Sequence, residues 1–209
     1  YDAYGNLKKE IDSVTGKYVE HLYDPLGRIE TFRNKRGFTT AYTYDEAGNV
    51  RTVIDAKNGK VEHFYDENGN RIKTVDARDT ITEYFYDKNN RLIRTEQKNG
   101  EETLITRTVY DELGRVTSTI NANQNASATD YDDEGNVLST ASALGFATRY
   151  EYDADNRVVK VIDPENRVTT TTYDKVGRVK TVTSGFGTPE AATTSYEYDG
   201  DGRMIQSTD

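Results

Sequence analysis

The sequence predicts an all-β chain: tandem β-hairpins of about 21 residues, paired side by side in one broad, curved antiparallel sheet. Three observations carry this. Ten Tyr-Asp pairs begin at Tyr1, Tyr23, Tyr44, Tyr65, Tyr86, Tyr110, Tyr131, Tyr152, Tyr173 and Tyr198, in steps of 22, 21, 21, 21, 24, 21, 21, 21 and 25 residues. The fourth residue after each Tyr is Gly5, Gly27, Gly48, Gly69, Asn90, Gly114, Gly135, Asn156, Gly177 or Gly202. Between these signatures lie short runs rich in Val, Ile, Thr, Tyr and Phe, with no helical period and only 3 prolines. A motif that recurs in phase marks a joint in a repeating scaffold, whereas a catalytic motif needs to occur once.

The signature itself reads as a turn. Only Gly and Asn fill its fourth place, and these residues adopt positive φ most readily. The Asp beside each Tyr can accept hydrogen bonds from backbone N–H groups two or three residues on, as in an Asx-turn. The residue after the Gly or Asn is Asn or Arg in all ten copies. For Arg28, Arg91, Arg115, Arg157, Arg178 and Arg203 two readings stand: a solvated or locally paired side chain, or an anion-binding ladder, which acidic surroundings disfavour.

After the turn comes a first strand, as in "VRTVID" (50–55), "VTSTIN" (116–121), "VVKVID" (158–163) and "VKTVTS" (179–184). A second polar turn follows, as in "NKRG" (34–37) or "AKNGK" (56–60). A second strand then leads into the next Tyr: "TTAYTY" (39–44), "TITEYFY" (80–86), "VTTTTY" (168–173). β-Branched and aromatic residues alternating between Gly, Asn and Asp turns are strand signals. Nine repeats give about 18 strands and a last one at 204–208, a ribbon roughly 85–90 Å across. A sheet that wide twists and curls. The extra residues of the two longest steps are expected in loops at 97–102 and 184–192, because loops absorb insertions.

Composition narrows the function. Of 209 residues, 34% are hydrophobic and 30% charged, against typical values of about 45–50% and 25%, so a thick two-layer core is not expected. The 16 Tyr and 6 Phe argue against disorder. A net charge of -9 disfavours nucleic acid and anionic lipid as partners. Without cysteine there are no disulfides or thiolate-metal sites. No apolar run approaches the roughly 20 residues of a membrane-spanning helix. No signal peptide is visible and the first residue is Tyr1, so the chain reads as a piece of a longer polypeptide.

Alternation puts the residue two before each signature Tyr on the same face as that Tyr. These are His21, Tyr42, His63, Tyr84, Thr108, Thr129, Tyr150, Thr171 and Tyr196. The stripe can be cross-strand packing. Alternatively, Tyr42, Tyr84, Tyr150 and Tyr196 form an aromatic platform for sugars. His21 and His63 occupy one slot two repeats apart, roughly 19 Å by strand spacing, too far to share a metal ion. No EF-hand loop or calcium nonapeptide occurs. No nucleophile elbow, zincin helix or phosphate loop is present either, so no catalytic, cofactor-binding or metal-ligating residue is assigned.

A period near 21 with Tyr-Asp-x-x-Gly-[Asn/Arg]-Val/Leu/Ile resembles the YD-repeat, or Rhs, family, over essentially residues 1–209. Two copies, at Tyr86 and Tyr152, depart by carrying Asn in the Gly place, and "YDENGNRI" shifts its first apolar residue to Ile72. The family includes Rhs and wall-associated polymorphic toxins of bacteria, insecticidal toxin-complex B/C subunits and animal teneurins. The resemblance implies a spiralling sheet forming part of a hollow shell. In toxins such a shell encloses a C-terminal effector; in teneurins it supports cell-surface adhesion. It also implies a large secreted or cell-surface parent, which regular repeats and absent cysteine favour as bacterial. The expected partners are adjacent repeats and an enclosed effector. "DPLGR" (24–28) lies inside the second repeat, so the family's shell-closing protease role is not carried onto Asp24. The leading expectation is a non-enzymatic shell segment; the alternative is a module binding cell-wall or cell-surface carbohydrate through the tyrosines.

Overall fold

The computed structural model describes residues 1–209. It holds no helix and nineteen strands, in two compact units, Tyr1–Arg107 and Thr108–Asp209. In the first unit the strands are β1 (Lys9–Ile11), β2 (Tyr18–Tyr23), β3 (Ile29–Arg33), β4 (Thr39–Tyr44), β5 (Val50–Ile54), β6 (Lys60–Tyr65), β7 (Arg71–Val75), β8 (Ile81–Tyr86) and β9 (Leu92–Asn99). Strand β10 (Glu102–Tyr110) runs from the first unit into the second. The second unit continues with β11 (Val116–Ile120), β12 (Ala126–Tyr131), β13 (Val137–Ala141), β14 (Ala147–Tyr152), β15 (Val158–Ile162), β16 (Val168–Tyr173), β17 (Val179–Ser184), β18 (Ala192–Tyr198) and β19 (Met204–Thr208).

Each strand from β1 to β9 pairs antiparallel with its successor, as does each from β11 to β18. At signature turns the ladder runs up to the Tyr with a one-residue bulge: Thr43 faces Thr52, Tyr44 faces Val50, and Arg51 is the extra residue. At second turns without an insertion only three pairs form, as in Thr52↔Glu62, Val53↔Val61 and Ile54↔Lys60. The far ends of β5 and β6 therefore need another tie, and the signature tyrosine supplies it.

The layer has no buried core. No apolar side chain is fully buried, and Thr52, 9% exposed, is the most enclosed residue. Sheet stability must then come from the ladders, from cross-strand side-chain pairs and from the turns. Hydroxyl pairs such as Thr172–Thr181 (2.6 Å) and Thr183–Thr193 (2.8 Å) tie neighbouring strands.

One expected loop is corrected. Residues 97–102 do not bulge out; β9 and β10 lengthen to eight and nine residues, pair to Asn99↔Glu102, and turn through Gly100 and Glu101. The antiparallel ladder continues outward at little cost because each added residue pair brings its own hydrogen bonds, and Gly100 at φ 61° makes the tight reversal. The second insertion does form a loop, between Ser184 and Ala192.

Candidate functional site

The recurring Tyr-Asp turn concentrates most of the polar chemistry. All ten residues in its fourth place have positive φ: Gly5 (85°), Gly27 (78°), Gly48 (92°), Gly69 (81°), Asn90 (60°), Gly114 (87°), Gly135 (96°), Asn156 (59°), Gly177 (88°) and Gly202 (81°). The turn closes with Gly177 N donating to Asp174 O at 3.0 Å and Asp174 N donating to Arg178 O at 2.8 Å.

The Asp carboxylate works harder than expected. Asp174 Oδ1 accepts from the backbone N–H of Val176 (3.0 Å) and of Arg178 (2.9 Å), two and four residues on rather than two and three. Its Oδ2 accepts from Arg178 Nε at 2.7 Å. Where the next slot holds Asn, the amide takes that place: Asn49 Nδ2 reaches Asp45 Oδ2 at 3.1 Å and Asn136 Nδ2 reaches Asp132 Oδ2 at 2.9 Å. This explains the restriction to Asn and Arg: each places an N–H donor on the turn's own carboxylate. Local pairing is thus the arrangement at Arg28, Arg115, Arg157 and Arg178.

These bonds hold the carboxyls below their ordinary range. Donation from the residue four places on is the largest cause at Asp2, Asp24, Asp45, Asp66, Asp87, Asp111, Asp153 and Asp174. At Asp132 desolvation is the largest influence and acts upward, but the bonds from Asn136, Gly135 and Glu134 outweigh it.

The signature hydroxyl closes the gap left by the short ladders. Tyr44 donates to Ile29 O (2.7 Å), Tyr65 to Val50 O (3.0 Å), Tyr152 to Val137 O (2.9 Å), Tyr173 to Val158 O (2.8 Å) and Tyr198 to Val179 O (2.8 Å). Each accepting carbonyl opens the first strand of the previous repeat. Guanidinium groups then cover several of these rings: Arg28 over Tyr44 (4.3 Å), Arg115 over Tyr131 (4.5 Å), Arg157 over Tyr173 and Arg178 over Tyr198 (both 4.6 Å). One Asp, one Arg and the next Tyr thus link successive repeats. Tyr173→Phe is expected to cost about 1 kcal/mol, since Val158 O loses its donor; a thermal melt unchanged from the parent chain would contradict the clamp.

The tyrosine stripe lies where alternation puts it. Tyr42, Tyr84, Tyr150 and Tyr196 face Val53, Thr95, Val161 and Ser207 across their ladders and are half-buried. The Arg71 guanidinium lies 4.9 Å from the Tyr84 ring. His21 packs on Phe32 with ring centres 5.1 Å apart, and His63 Nδ1 lies 3.1 Å from Thr74 Oγ1. Burial, then Arg71, pulls the His63 pKa down, which favours neutral imidazole. No three His, Asp or Glu converge to hold a metal ion. The sequence reading allows local pairing of the Arg side chains but names neither the turn Asp as partner nor the Tyr-to-carbonyl bond. The co-occurrence of Asp with Asn or Arg four places on in every copy was the available signal.

No curated protein matches the chain. The solved structures supply many likenesses. The crystal structure of TcdB2-TccC3-Cdc42 matches with a TM-score of 0.74 at 18% identity, over 99% of this chain and 13% of that one. The Photorhabdus luminescens Tc holotoxin pore matches with a TM-score of 0.60 at 17% identity, covering 91% of this chain and 13% of that one. TcdB2-TccC3 without its hypervariable C-terminal region gives the same figures. The chain therefore spans about 13% of the length of these neighbours, and at such identities the likeness shows the fold. RHS repeats match residues 23–60 and 65–103, and the Teneurin YD-shell matches residues 99–209, more than half of the chain. With its ten in-phase signature turns and its antiparallel hairpins, the chain belongs to the YD-shell, or Rhs-repeat, family.

Proposed function

We propose that residues 1–209 form one continuous YD-repeat array, a non-enzymatic wall segment of a large secreted or cell-surface protein whose shell encloses or presents a C-terminal effector. The observation that carries this is where the polar chemistry is spent. The turn carboxylates and the signature hydroxyls whose bonds are described above bind the scaffold's own backbone, so these recurring groups are engaged in holding the wall together. The likeness to TcdB2-TccC3 structures, one of them solved without a hypervariable C-terminal region, supports the reading.

Two measurements test it. In the parent protein, a C-terminal effector should resist protease while the repeats are folded and become cleavable when they unfold. Equal cleavage in both states would remove the enclosure. The purified chain should also show no overnight turnover of nucleic acid or peptidoglycan; turnover lost on changing His21 or His63 would make it an enzyme. Binding on a glycan array abolished by Tyr42→Ala and Tyr84→Ala would instead favour carbohydrate recognition.

A further inference from the structure

We propose that the notch over Tyr152 is a binding site for the guanidinium group of an arginine side chain on a polypeptide partner. The repeats themselves show what such a notch holds. At Arg28, Arg115, Arg157 and Arg178 the guanidinium sits on the turn's own Asp and stacks on the next repeat's Tyr: Arg115 Nε lies 2.6 Å from Asp111 Oδ2 with its guanidinium 4.5 Å from the Tyr131 ring. Arg178 does the same between Asp174 (2.7 Å) and Tyr198 (4.6 Å). Where the turn carries Asn, the shorter amide still serves the Asp but is two bonds short of covering the ring.

Cavities lie at three of these shortened places. After Asn6 one is lined by Asp2, Lys8 and Tyr23; after Asn49 one is lined by Asp45, Arg51 and Tyr65; after Asn136 one is lined by Asp132, Leu138 and Tyr152. The same repeat positions recur in each: the Asp of one copy, the seventh residue after its Tyr, and the next Tyr. The first two bring their own cation, Lys8 or Arg51, at that seventh position. After Asn70 the neighbouring Arg71 stands by the Tyr84 ring. Only the third has an apolar residue there, Leu138, and no basic residue in its lining.

The charges around this notch favour a cation. Glu134, Glu151 and Asp153 also line it. Glu151 is paired with Lys160 at 2.8 Å and Asp153 with Arg157 at 2.6 Å. Arg115 Nη1 donates to the Asp132 backbone O at 2.9 Å, but no basic side chain pairs with the carboxylate of Asp132 or Glu134, and both residues line the notch with Tyr152. Asp132 Oδ2 takes one bond from Asn136 and, as a carboxylate oxygen, can accept a second. Tyr152, its hydroxyl fixed on Val137 O, presents a held ring for cation–π contact. The open cavity of about 670 Å³ is more than a guanidinium fills, and leaves room for the chain that carries it.

The test is titration of the folded chain with N-acetyl-arginine amide, followed by NMR at the Tyr152 ring and the Asn136 side-chain amide. The expected result is saturable shifts at both in the millimolar range, which requires the ring and the two carboxylates to act together, since one exposed cation–π contact alone is too weak. N-acetyl-citrulline amide, matched in shape but uncharged, should leave them in place. Asn136→Arg combined with Asn156→Gly rebuilds the self-filled notch of the other copies and should abolish the shifts. Leu138→Arg, a surface change that imitates Arg51, should abolish them independently if the double variant folds poorly. Absence of shifts at Tyr152 up to about 50 mM ligand, an equal response to the citrulline compound, or binding retained in a folded Leu138→Arg chain would each overturn the site.

Discussion

Acidification is expected to unfold the chain over a window that opens near pH 4 and closes near pH 2, seen as loss of the far-ultraviolet β-sheet signal. The turn aspartates drive it. Their folded-state pKa lies below the ordinary value near 3.9 because backbone and side-chain donors favour the charged form. For a group depressed in the folded state, the unfolded chain binds protons first as pH falls. The stabilisation is therefore complete above about pH 4 and drains as pH drops through the folded value. Asp12, bound by the N–H groups of Thr15 and Val14 and then by Lys35, is lowered to about 2, which sets the lower end. Each exposed carboxylate contributes modestly, but the same change strikes at least nine signature turns in one narrow interval. A sheet without a buried core has little else to hold it. Turns built on Asn34 or Asn121 accept the same backbone bonds without a titrating group, at 2.9 and 3.2 Å and at 3.0 and 3.0 Å respectively. Changing signature aspartates to asparagine should accordingly move the transition to lower pH while weakening the fold at neutral pH. A sheet signal unchanged down to pH 2, or a transition on going from pH 5 to pH 9, would contradict this account.

The turns also show what was legible in the sequence. The strands followed from β-branched runs between turn residues, and the nineteen observed match the expected number because a period of 21 leaves room for two short strands and two five-residue turns. The positive-φ place was legible because only Gly and Asn fill it. In sequence the second turns look merely polar, yet they repeat the same design ten residues later: Asn34 with Gly37, Asp55 with Asn58, Asp76 with Asp79, Asn121 with Gln124, Ser142 with Gly145 and Asp163 with Asn166. Their left-handed residue varies among Gly, Asn, Asp and Gln, which hid the pattern from a search for glycine. The insertion at 97–102 was misplaced because sequence length does not say whether extra residues pair with each other. The contacts between repeats, Tyr to carbonyl and Arg to ring, join residues 15 to 20 positions apart and depend on strand register, which a single sequence leaves implicit.

Gly177→Val is expected to destabilise the chain by about 1–3 kcal/mol, the strain of holding a β-branched residue at φ 88°. Gly177→Asn should be milder in backbone terms, because Asn tolerates the left-handed region, as Asn90 and Asn156 do at 60° and 59°. Its side chain meets another obstacle. A Cβ at Gly177 would stand 3.5 Å from Arg157 Nη1, so the amide beyond it must share space with the guanidinium that covers Tyr173. The two natural asparagines avoid this conflict. Each follows a copy whose slot holds Asn, and the two amides bond: Asn70 Nδ2 to Asn90 Oδ1 and Asn136 Nδ2 to Asn156 Oδ1, both at 2.8 Å. Wherever the preceding slot is Arg, the next left-handed place is Gly. The two positions therefore form one unit, Arg before Gly or Asn before Asn, with Asn before Gly as a permitted third pairing. Arg157→Asn alone should weaken the chain by uncovering Tyr173 and releasing Asp153 from its ion pair. Adding Gly177→Asn to it should then cost less than in the parent chain, with a favourable coupling of about 1 kcal/mol in a double-mutant cycle read from urea midpoints. Strict additivity would show that guanidinium and amide do not compete for the place, and that the pairing of residue types between neighbouring turns has no basis in this contact.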